Sequence, residues 1–204
     1  MNDENNSGKK QISSNIKSMT RIAIFASGSG SNAENITSYF KENVNVEIAL
    51  ILANKPDAYV LERAKKLNIP SFIFTGKEFR TTEIVLNKLQ DEKIDFVVLA
   101  GFMLLVPKYL VEAFPNKIVN IHPALLPNYG GKGMYGDYVH QAVIANKETK
   151  SGISIHYVNE KYDEGNIIFQ AETLIEPSDT ASDLAKKIHD LEYKHFPRVI
   201  AEVL

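Results

Sequence analysis

A histidine and an asparagine stand two residues apart at the end of an apolar segment. Residues Lys117–Pro123 read KIVNIHP, and because alternate residues of a strand share a face, Asn120 and His122 point the same way. Pro123 has no backbone donor and keeps the preceding residue extended, so we expect the strand to end there. At the carboxyl edge of an α/β sheet, an amide and an imidazole could hold a carbonyl oxygen and manage a proton. Spacing alone leaves a structural histidine as the open alternative.

Two further polar residues could join this pair. Asp163 stands in Tyr162–Gly165 (YDEG), a pattern typical of a turn. His156 lies in the alternating segment Ile153–Tyr157 (ISIHY), where a half-buried histidine with satisfied hydrogen bonds is the simpler interpretation. From spacing alone we expect both to be structural.

A glycine-rich segment, Gly28–Asn32 (GSGSN), follows the first apolar run and precedes a helical pattern. Free backbone N–H groups and the helix dipole at such a position favour an anion. With Ala33 the segment also fits G-x-G-x-x-G/A, but a dinucleotide site needs an acidic residue at the end of the second strand. No carboxylate precedes Asp57 there. Anion binding is therefore favoured over a tight turn with a serine cap.

Short apolar runs alternate with helical stretches along the chain and predict an α/β domain on a mostly parallel sheet. The last two predicted strands depart from the regular alternation of strand and helix, so they could be antiparallel. The predicted strands are Arg21–Ala26, Val46–Leu52, Ser71–Phe74, Asp95–Ala100, Lys117–Ile121, Gly152–Val158 and Asn166–Leu174. The predicted helices are Ser31–Lys41, Asp57–Leu67, Glu78–Glu92, Pro107–Ala113, Tyr138–Asn146 and Thr180–Val203.

The composition limits the class of protein. The chain has 204 residues, a formal net charge of −2 and no cysteine, which excludes a disulfide scaffold, a thiolate nucleophile and a cysteine-ligated metal. Near-neutral charge argues against a nucleic-acid groove, and no apolar run is long enough to span a membrane. We expect a cytoplasmic protein that binds small molecules and neither nucleic acid nor membrane, with monomer and homodimer left open.

The first twenty residues differ from the rest. Residues 1–20 are polar, lack hydrophobic periodicity and have no signal-peptide core. We predict a disordered N-terminal tail over 1–20 and one domain over 21–204. Met19 could be the true start of translation.

Several segments together resemble the phosphoribosylglycinamide formyltransferase family of purine biosynthesis. They are Phe25–Asn32 (FASGSGSN), Val97–Met103 (VVLAGFM), Asn120–Pro127 (NIHPALLP), Gly152–Val158 (GISIHYV), Tyr162–Gly165 (YDEG) and Glu192–Pro197 (EYKHFP). Their order and spacing extend the similarity over nearly all of 21–204. The resemblance implies a Rossmann-like fold with a mostly parallel sheet of about seven strands flanked by helices.

The resemblance also implies a role for individual residues. The phosphate of glycinamide ribonucleotide would be held by Gly30, Ser31 and Asn32, and its ribose and amine end by Glu192. The catalytic residues would be Asn120, His122 and Asp163. The folate pocket would be lined by Met103, Leu104, Leu105, Val106, Asn120 and Arg80.

The implied reaction is direct formyl transfer from the co-substrate 10-formyltetrahydrofolate to the ribonucleotide amine, without a metal. Asn120 and His122 would stabilise the oxyanion, and Asp163 would raise the pKa of His122. The sequence departs from the family at Leu104, where an arginine is usual; Arg80 is the counterpart of a second arginine. The loop Asn128–Asp137 lacks the histidines common elsewhere.

Other functions remain to be weighed against this one. An NAD-dependent dehydrogenase would bind NAD(H) at Gly28–Asn32, and a nucleotide-binding module without catalysis would not need His122. Methionyl-tRNA formyltransferase and formyltetrahydrofolate deformylase share the NIHPALLP-like string, but the first has a further C-terminal domain and the second an N-terminal regulatory domain. The GSGSN segment, suited to a phosphate, favours the ribonucleotide enzyme.

Overall fold

The computed structural model describes residues 19–204. Residues 1–18 of the predicted tail lie outside the described part, and the first strand begins at Thr20. The strands are β1 (Thr20–Ala26), β2 (Val46–Ala53), β3 (Ser71–Ile73), β4 (Phe96–Leu99), β5 (Ile118–His122), β6 (Lys150–Tyr157) and β7 (Ile167–Leu174). The helices are α1 (Ser31–Phe40), α2 (Val60–Lys66), α3 (Gly76–Thr81), α4 (Ile84–Asp91), α5 (Lys108–Ala113), α6 (Asp137–Ala145) and α7 (Ala181–Val203).

The seven strands form one sheet in the order β3-β2-β1-β4-β5-β6-β7. The pairs from β3 to β5 are parallel, whereas β6 pairs antiparallel with β5 and with β7. The predicted mixed α/β sheet is thereby confirmed. The strand order reverses between β1 and β4, and ligands of open α/β sheets bind in the crevice at such a point, beyond the carboxyl ends of the strands.

The central strands are covered on both faces, which explains their uniformly apolar sequence. All four residues of β4 are buried, and so are the last five of β1. One core cluster on one face of the sheet includes Ile36, Val139 and Phe196. The other face is covered by a cluster that includes Phe79, Leu89 and Leu110. Burial on both faces fixes the strand ends that carry the polar residues.

The single helix predicted over Glu78–Glu92 is wrong, because the chain breaks there into α3 and α4. Thr82 is extended, with φ −139° and ψ 163°, and its hydroxyl donates to the carbonyl oxygen of Glu78 at 2.8 Å. Helix α3 also begins earlier than the predicted helix, because Thr75 and Glu78 form a capping box. The hydrogen bond from Thr82, a β-branched residue, to the preceding turn interrupts the helix. The apolar spacing nevertheless continues across the break.

The closing helix α7 is confirmed and spans 23 residues. Thr180 and Asp183 form its capping box. It packs against α1, α6 and β6, so its polar face reaches the carboxyl edge of the sheet. Among residues 19–204, no helix is long and apolar enough to cross a membrane.

Candidate active site

The carboxyl ends of β1, β4 and β5 border one cleft with a volume of about 870 Å³. All but one of the site residues named from the sequence line it, and Arg80 on α3 is the exception. The lining residues include Gly30, Ser31, Asn32, Met103, Leu104, Leu105, Val106, Asn120, His122, Asp163 and Glu192. Residues far apart in the chain therefore share one cavity, as expected at a switch point of the sheet.

Asn120 lies beside His156 because the two residues are register partners in the antiparallel pair β5–β6. The Nδ1 atom of His156 is 2.8 Å from the carbonyl oxygen of Tyr157, so this nitrogen carries the proton. Its Nε2 then accepts from the Asn120 amide at 3.1 Å. His156 is only 2% exposed, not half-buried as expected. It fixes the orientation of the Asn120 amide at the floor of the cleft.

Asp163 lies in the turn between β6 and β7 and contacts the side chains of Asn120 and His122. Its Oδ1 accepts from the Asn120 amide at 3.4 Å, and its Oδ2 lies 3.5 Å from Nδ1 of His122. The turn requires a glycine at position 165, where a Cβ atom would lie 1.6 Å from the carbonyl oxygen of Tyr157. This tight turn brings together Asn120, His122 and Asp163, the three residues that the family resemblance implies to be catalytic.

The imidazole of His122 is 3% exposed and held from both sides. Its Nε2 lies 2.8 Å from the carbonyl oxygen of Tyr129, which can only accept, so Nε2 donates. The other nitrogen, Nδ1, faces Asp163. Burial lowers the pKa of His122, while the Asp163 carboxylate and the Tyr129 carbonyl act in the opposite direction. The carboxylate therefore favours the imidazolium as predicted, but burial outweighs it.

Asp163 is ionised at the floor of the cleft. Burial alone would raise its pKa, but the charge that the rings of His156 and His122 carry when protonated and the N–H of Gly131 act in the opposite direction and bring that pKa below its usual value. Gly131 donates to Oδ2 at 2.9 Å. The glycine-rich loop thus contacts the catalytic cluster at two main-chain positions, through the Tyr129 carbonyl and the Gly131 N–H.

The segment Gly28–Asn32 leaves the start of α1 without a side-chain cap. Gly30 is the N-cap residue with φ 73° and no side-chain hydrogen bond, so the alternative of a serine cap is wrong. A Cβ atom on Gly30 would lie 2.3 Å from Cγ2 of Val60. The glycine is thus required by α2 packing as well as by its backbone conformation. The uncapped N–H groups can donate hydrogen bonds to an anion.

Asn32 links the first helix to the last. Its Nδ2 donates to Oε2 of Glu192 at 2.8 Å, while its buried Oδ1 has no partner among the described residues. The same Glu192 oxygen lies 3.4 Å from Nδ1 of His189, and this hydrogen bond raises the pKa of His189. Another part of the cleft lining therefore carries the glycine segment, a carboxylate and a histidine.

The segment after β4 forms an apolar wall. The N–H of Met103 donates to the hydroxyl of Ser27 at 3.0 Å, which ties the wall to the end of β1. Met103 and Leu105 are 39% and 37% exposed, whereas Val106 is buried. Two exposed apolar side chains in a cleft suit a flat aromatic ligand. Arg80 packs near Leu104 at Gly76, outside the cleft lining.

The comparison with known protein families identifies the family of this chain. Residues 20–200 match the formyl transferase family. The chain belongs to that family. The match covers all seven strands and nearly all of α7, so the cleft described above is that of a formyl transferase.

Individual relatives are similar in sequence to this chain over most of its length. A phosphoribosylglycinamide formyltransferase of Bacillus subtilis is 39% identical over 91% of this chain and 95% of its own length. A chloroplastic enzyme of the same name from Arabidopsis thaliana is 39% identical over 90% of this chain, which spans 65% of that longer protein. The crystal structure of the Bacillus halodurans enzyme superposes with a TM-score of 0.83 at 39% identity, covering 91% of this chain and 95% of that one.

Sequence reasoning missed several contributors to the site, which are the Tyr129 carbonyl, the Gly131 N–H, His140 and His189. The Tyr129 carbonyl is a main-chain group, and no residue type signals its contact with His122. His140 on α6 also lines the cleft and is 6% exposed; its position on the buried face of a helix resembles that of any core residue. Among residues 19–204, no group of three or more acidic or histidine side chains is arranged to hold a metal ion.

Proposed function

We propose that the protein transfers the formyl group of 10-formyltetrahydrofolate to the amine of N1-(5-phospho-D-ribosyl)glycinamide, a step of purine biosynthesis. One observation carries the proposal. The hydrogen-bonded cluster of Asn120, His122 and Asp163 lies in the same cleft as an uncapped glycine segment and an exposed apolar wall. A phosphate and a pterin would each find suitable chemistry in the cleft that holds this acid–base cluster.

The ribonucleotide would bind along α1 and α7. The free N–H groups after Gly30, with the hydroxyl of Ser31, suit the phosphate. Glu192, held by Asn32, is a carboxylate in the same part of the cleft and suits ribose hydroxyls and a cationic amine. Because these contacts are the same before and during the reaction, they would act mainly as uniform binding.

The folate would bind along the wall of Met103–Val106. The co-substrate supplies the formyl carbon that the amine attacks. Asn120 would donate a hydrogen bond from its amide to the formyl oxygen as negative charge develops there. The amide has two N–H groups, one held by His156 at 3.1 Å and the other directed to Asp163 at 3.4 Å, so the longer contact to Asp163 would give way to the formyl oxygen during the reaction.

His122 would act as the proton carrier of the reaction. Its Nε2 is held by Tyr129, so Nδ1 is the nitrogen that can gain and release a proton. A proton on Nδ1 is stabilised by Asp163 at 3.5 Å, and the imidazolium stabilises the oxyanion before passing a proton towards the leaving nitrogen. The Asp163 carboxylate offsets part of the burial that opposes this charge.

A spectrophotometric formyl-transfer assay with and without glycinamide ribonucleotide tests the proposal. We expect tetrahydrofolate release that depends on the ribonucleotide and yields one formylated product per folate consumed. Equal turnover without the ribonucleotide would instead identify a deformylase. Calorimetric titration of NAD(H) against the ribonucleotide gives a second check: heat from NAD(H) alone would favour the dehydrogenase.

A further inference from the structure

His140 is a buried imidazole in the cleft wall to which the mechanism above gives no role. It lies on α6, is 6% exposed and lines the cleft. Its Nδ1 has no hydrogen-bond partner within residues 19–204. Buried polar nitrogens are nearly always paired in folded proteins. The enclosed Nδ1 does not itself reach the cleft, so Nε2, which is neither enclosed nor hydrogen-bonded within residues 19–204, is the nitrogen of His140 that can meet a ligand there.

Charged groups on three elements act on this ring. Helix α6 packs against α7, which contributes Glu192, while Asp137 lies on α6 itself and His122 at the end of β5. Burial lowers the pKa of His140 more than the two carboxylates raise it, and His122 lowers it further. The ring is therefore neutral near physiological pH. A neutral imidazole is the form that can accept a proton.

The proposed reaction requires such an acceptor. An α-amine has a pKa of about 7.7–8.0, so near neutral pH the substrate amine is mostly an ammonium without a lone pair to attack with. The Nδ1 atom of His122 is already used for the proton that passes to the departing folate nitrogen, and Asn120 cannot take a proton. Carboxylates as a class are weak bases near pH 7. Of the histidines that line the cleft, His140 is the one whose ring makes no hydrogen bond to the described residues, which leaves it available as the base.

We infer that His140 removes a proton from the substrate ammonium, an inference that rests on the function proposed above. An N–H bond of the ammonium breaks, a bond to the imidazole forms, and the freed electron pair makes the new C–N bond at the formyl carbon. The imidazolium then returns its proton to water. The second amine proton leaves after the attack and passes through His122 to the departing folate nitrogen, so that protons and electrons balance.

The test compares wild type with His140→Gln in kcat/KM for glycinamide ribonucleotide between pH 6.5 and 9. Without the base, only the uncharged fraction of the amine can react. The variant should therefore lose about tenfold per pH unit below about pH 7.7, while the wild type stays nearly flat. We expect a deficit of about 10- to 30-fold at pH 6.5 and activity close to that of wild type at pH 9.

His195→Gln is a matched control on α7. Its Nδ1 is also buried without a partner, and burial lowers its pKa as well, but it packs on Phe169 and does not line the cleft. This control should keep the wild-type pH profile. If His140→Gln does not fold, His140→Asn should give the same pH-dependent deficit, and added imidazole should restore part of the activity of His140→Ala at pH 6.5.

A deficit of His140→Gln that is equal at pH 6.5 and pH 9 would overturn the inference, because a structural role does not depend on the charge of the amine. This outcome leaves ribonucleotide-dependent formyl transfer by the wild type intact. A wild type without such transfer would overturn the proposed function itself, which separates the two failures.

Discussion

The main-chain oxygen of Tyr129 lies 2.8 Å from Nε2 of His122. This contact between two residues seven positions apart fixes which nitrogen of the catalytic ring is available. With Nε2 occupied, Nδ1 points to Asp163, and a proton gained there lies between an imidazole and a carboxylate. The glycine-rich loop therefore has a positioning role through its backbone rather than through its side chains.

Substitution of the cluster should reduce turnover and leave the fold intact. His122→Ala removes the proton carrier, and Asp163→Asn keeps the volume but removes the charge that stabilises the imidazolium. We expect each to lower kcat by at least about 10²-fold, because both act on charge that develops in the transition state. Steady-state kinetics and thermal melts measure the two effects separately. Turnover near the wild-type rate in either variant would contradict the assignment.

Asp163→Asn should also change the titration of His122. The carboxylate raises the pKa of that imidazole against the effect of burial. Removing the charge should therefore move the pKa further down, which histidine ring resonances in NMR would report. An upward movement would show that burial is relieved by the substitution and that the carboxylate is not the main opposing charge.

The two glycines of the anion segment should respond differently to alanine. At Gly30 a Cβ atom would lie 2.3 Å from a side-chain carbon of Val60, and φ is positive. Gly30→Ala should lower stability by about 1–3 kcal/mol, seen as a decrease of several degrees in Tm. At Gly28 no atom lies within 4 Å of the added carbon.

Gly28→Ala is therefore the matched control for stability and a probe of the ligand. Its melting temperature should equal that of wild type. Because Gly28 lines the cleft, an added methyl group should raise KM for the ribonucleotide if the phosphate approaches this segment closely. Equal destabilisation by both substitutions would show that Val60 packing does not explain the requirement at position 30.

Much of the fold could be predicted from the sequence, because its signals are local. The alternation of apolar runs with helical stretches predicts the sheet, and the alternation within Lys117–Pro123 places Asn120 beside His122. The break at Thr82 was missed because apolar spacing continues on both sides of it, while the competing hydrogen bond forms only in the folded turn.

The parts of the site that the residue pattern did not predict depend on contacts between segments that are distant in the sequence. Asp163 by itself resembles any turn aspartate, and only the β6–β7 hairpin brings it to His122. The burial of His156 follows from its register opposite Asn120, which spacing within one strand does not define. For Asp163 the family resemblance supplied what local physical reasoning could not.

Acid should destabilise the protein below about pH 6.5, the ordinary pKa of histidine. Burial lowers the pKa of His122, His140 and His195 in the folded state, so the unfolded chain binds more protons between these lowered values and pH 6.5. Stability therefore rises with pH through this window and is lost as pH falls. His189, whose pKa is raised, acts in the opposite direction. Calorimetry in buffers of different ionisation enthalpy at pH 6 should detect net proton uptake on unfolding, and net release would contradict the argument.

The last prediction concerns the link between Asn32 and Glu192. Asn32→Ala removes a hydrogen bond of 2.8 Å to a carboxylate that we place at the ribonucleotide, and bonds to charged groups contribute roughly 1.5–3 kcal/mol. We expect KM for glycinamide ribonucleotide to rise about 10- to 100-fold, with KM for 10-formyltetrahydrofolate nearly unchanged, since that pocket lies along Met103–Val106. Asn35→Ala is the matched control, because Asn35 also joins α1 to α7, donating to the carbonyl oxygen of Tyr193 at 2.9 Å, and it does not line the cleft.

The control separates ligand binding from helix packing. If the Asn32 effect came from loosened packing of α1 on α7, Asn35→Ala should raise KM for the ribonucleotide similarly. If it comes from the orientation of Glu192, Asn35→Ala should leave both KM values unchanged, and free phosphate should still compete with the ribonucleotide in Asn32→Ala through the backbone of Gly28–Asn32. A selective increase in the folate KM of Asn32→Ala would mean that the two substrates have been placed at the wrong ends of the cleft.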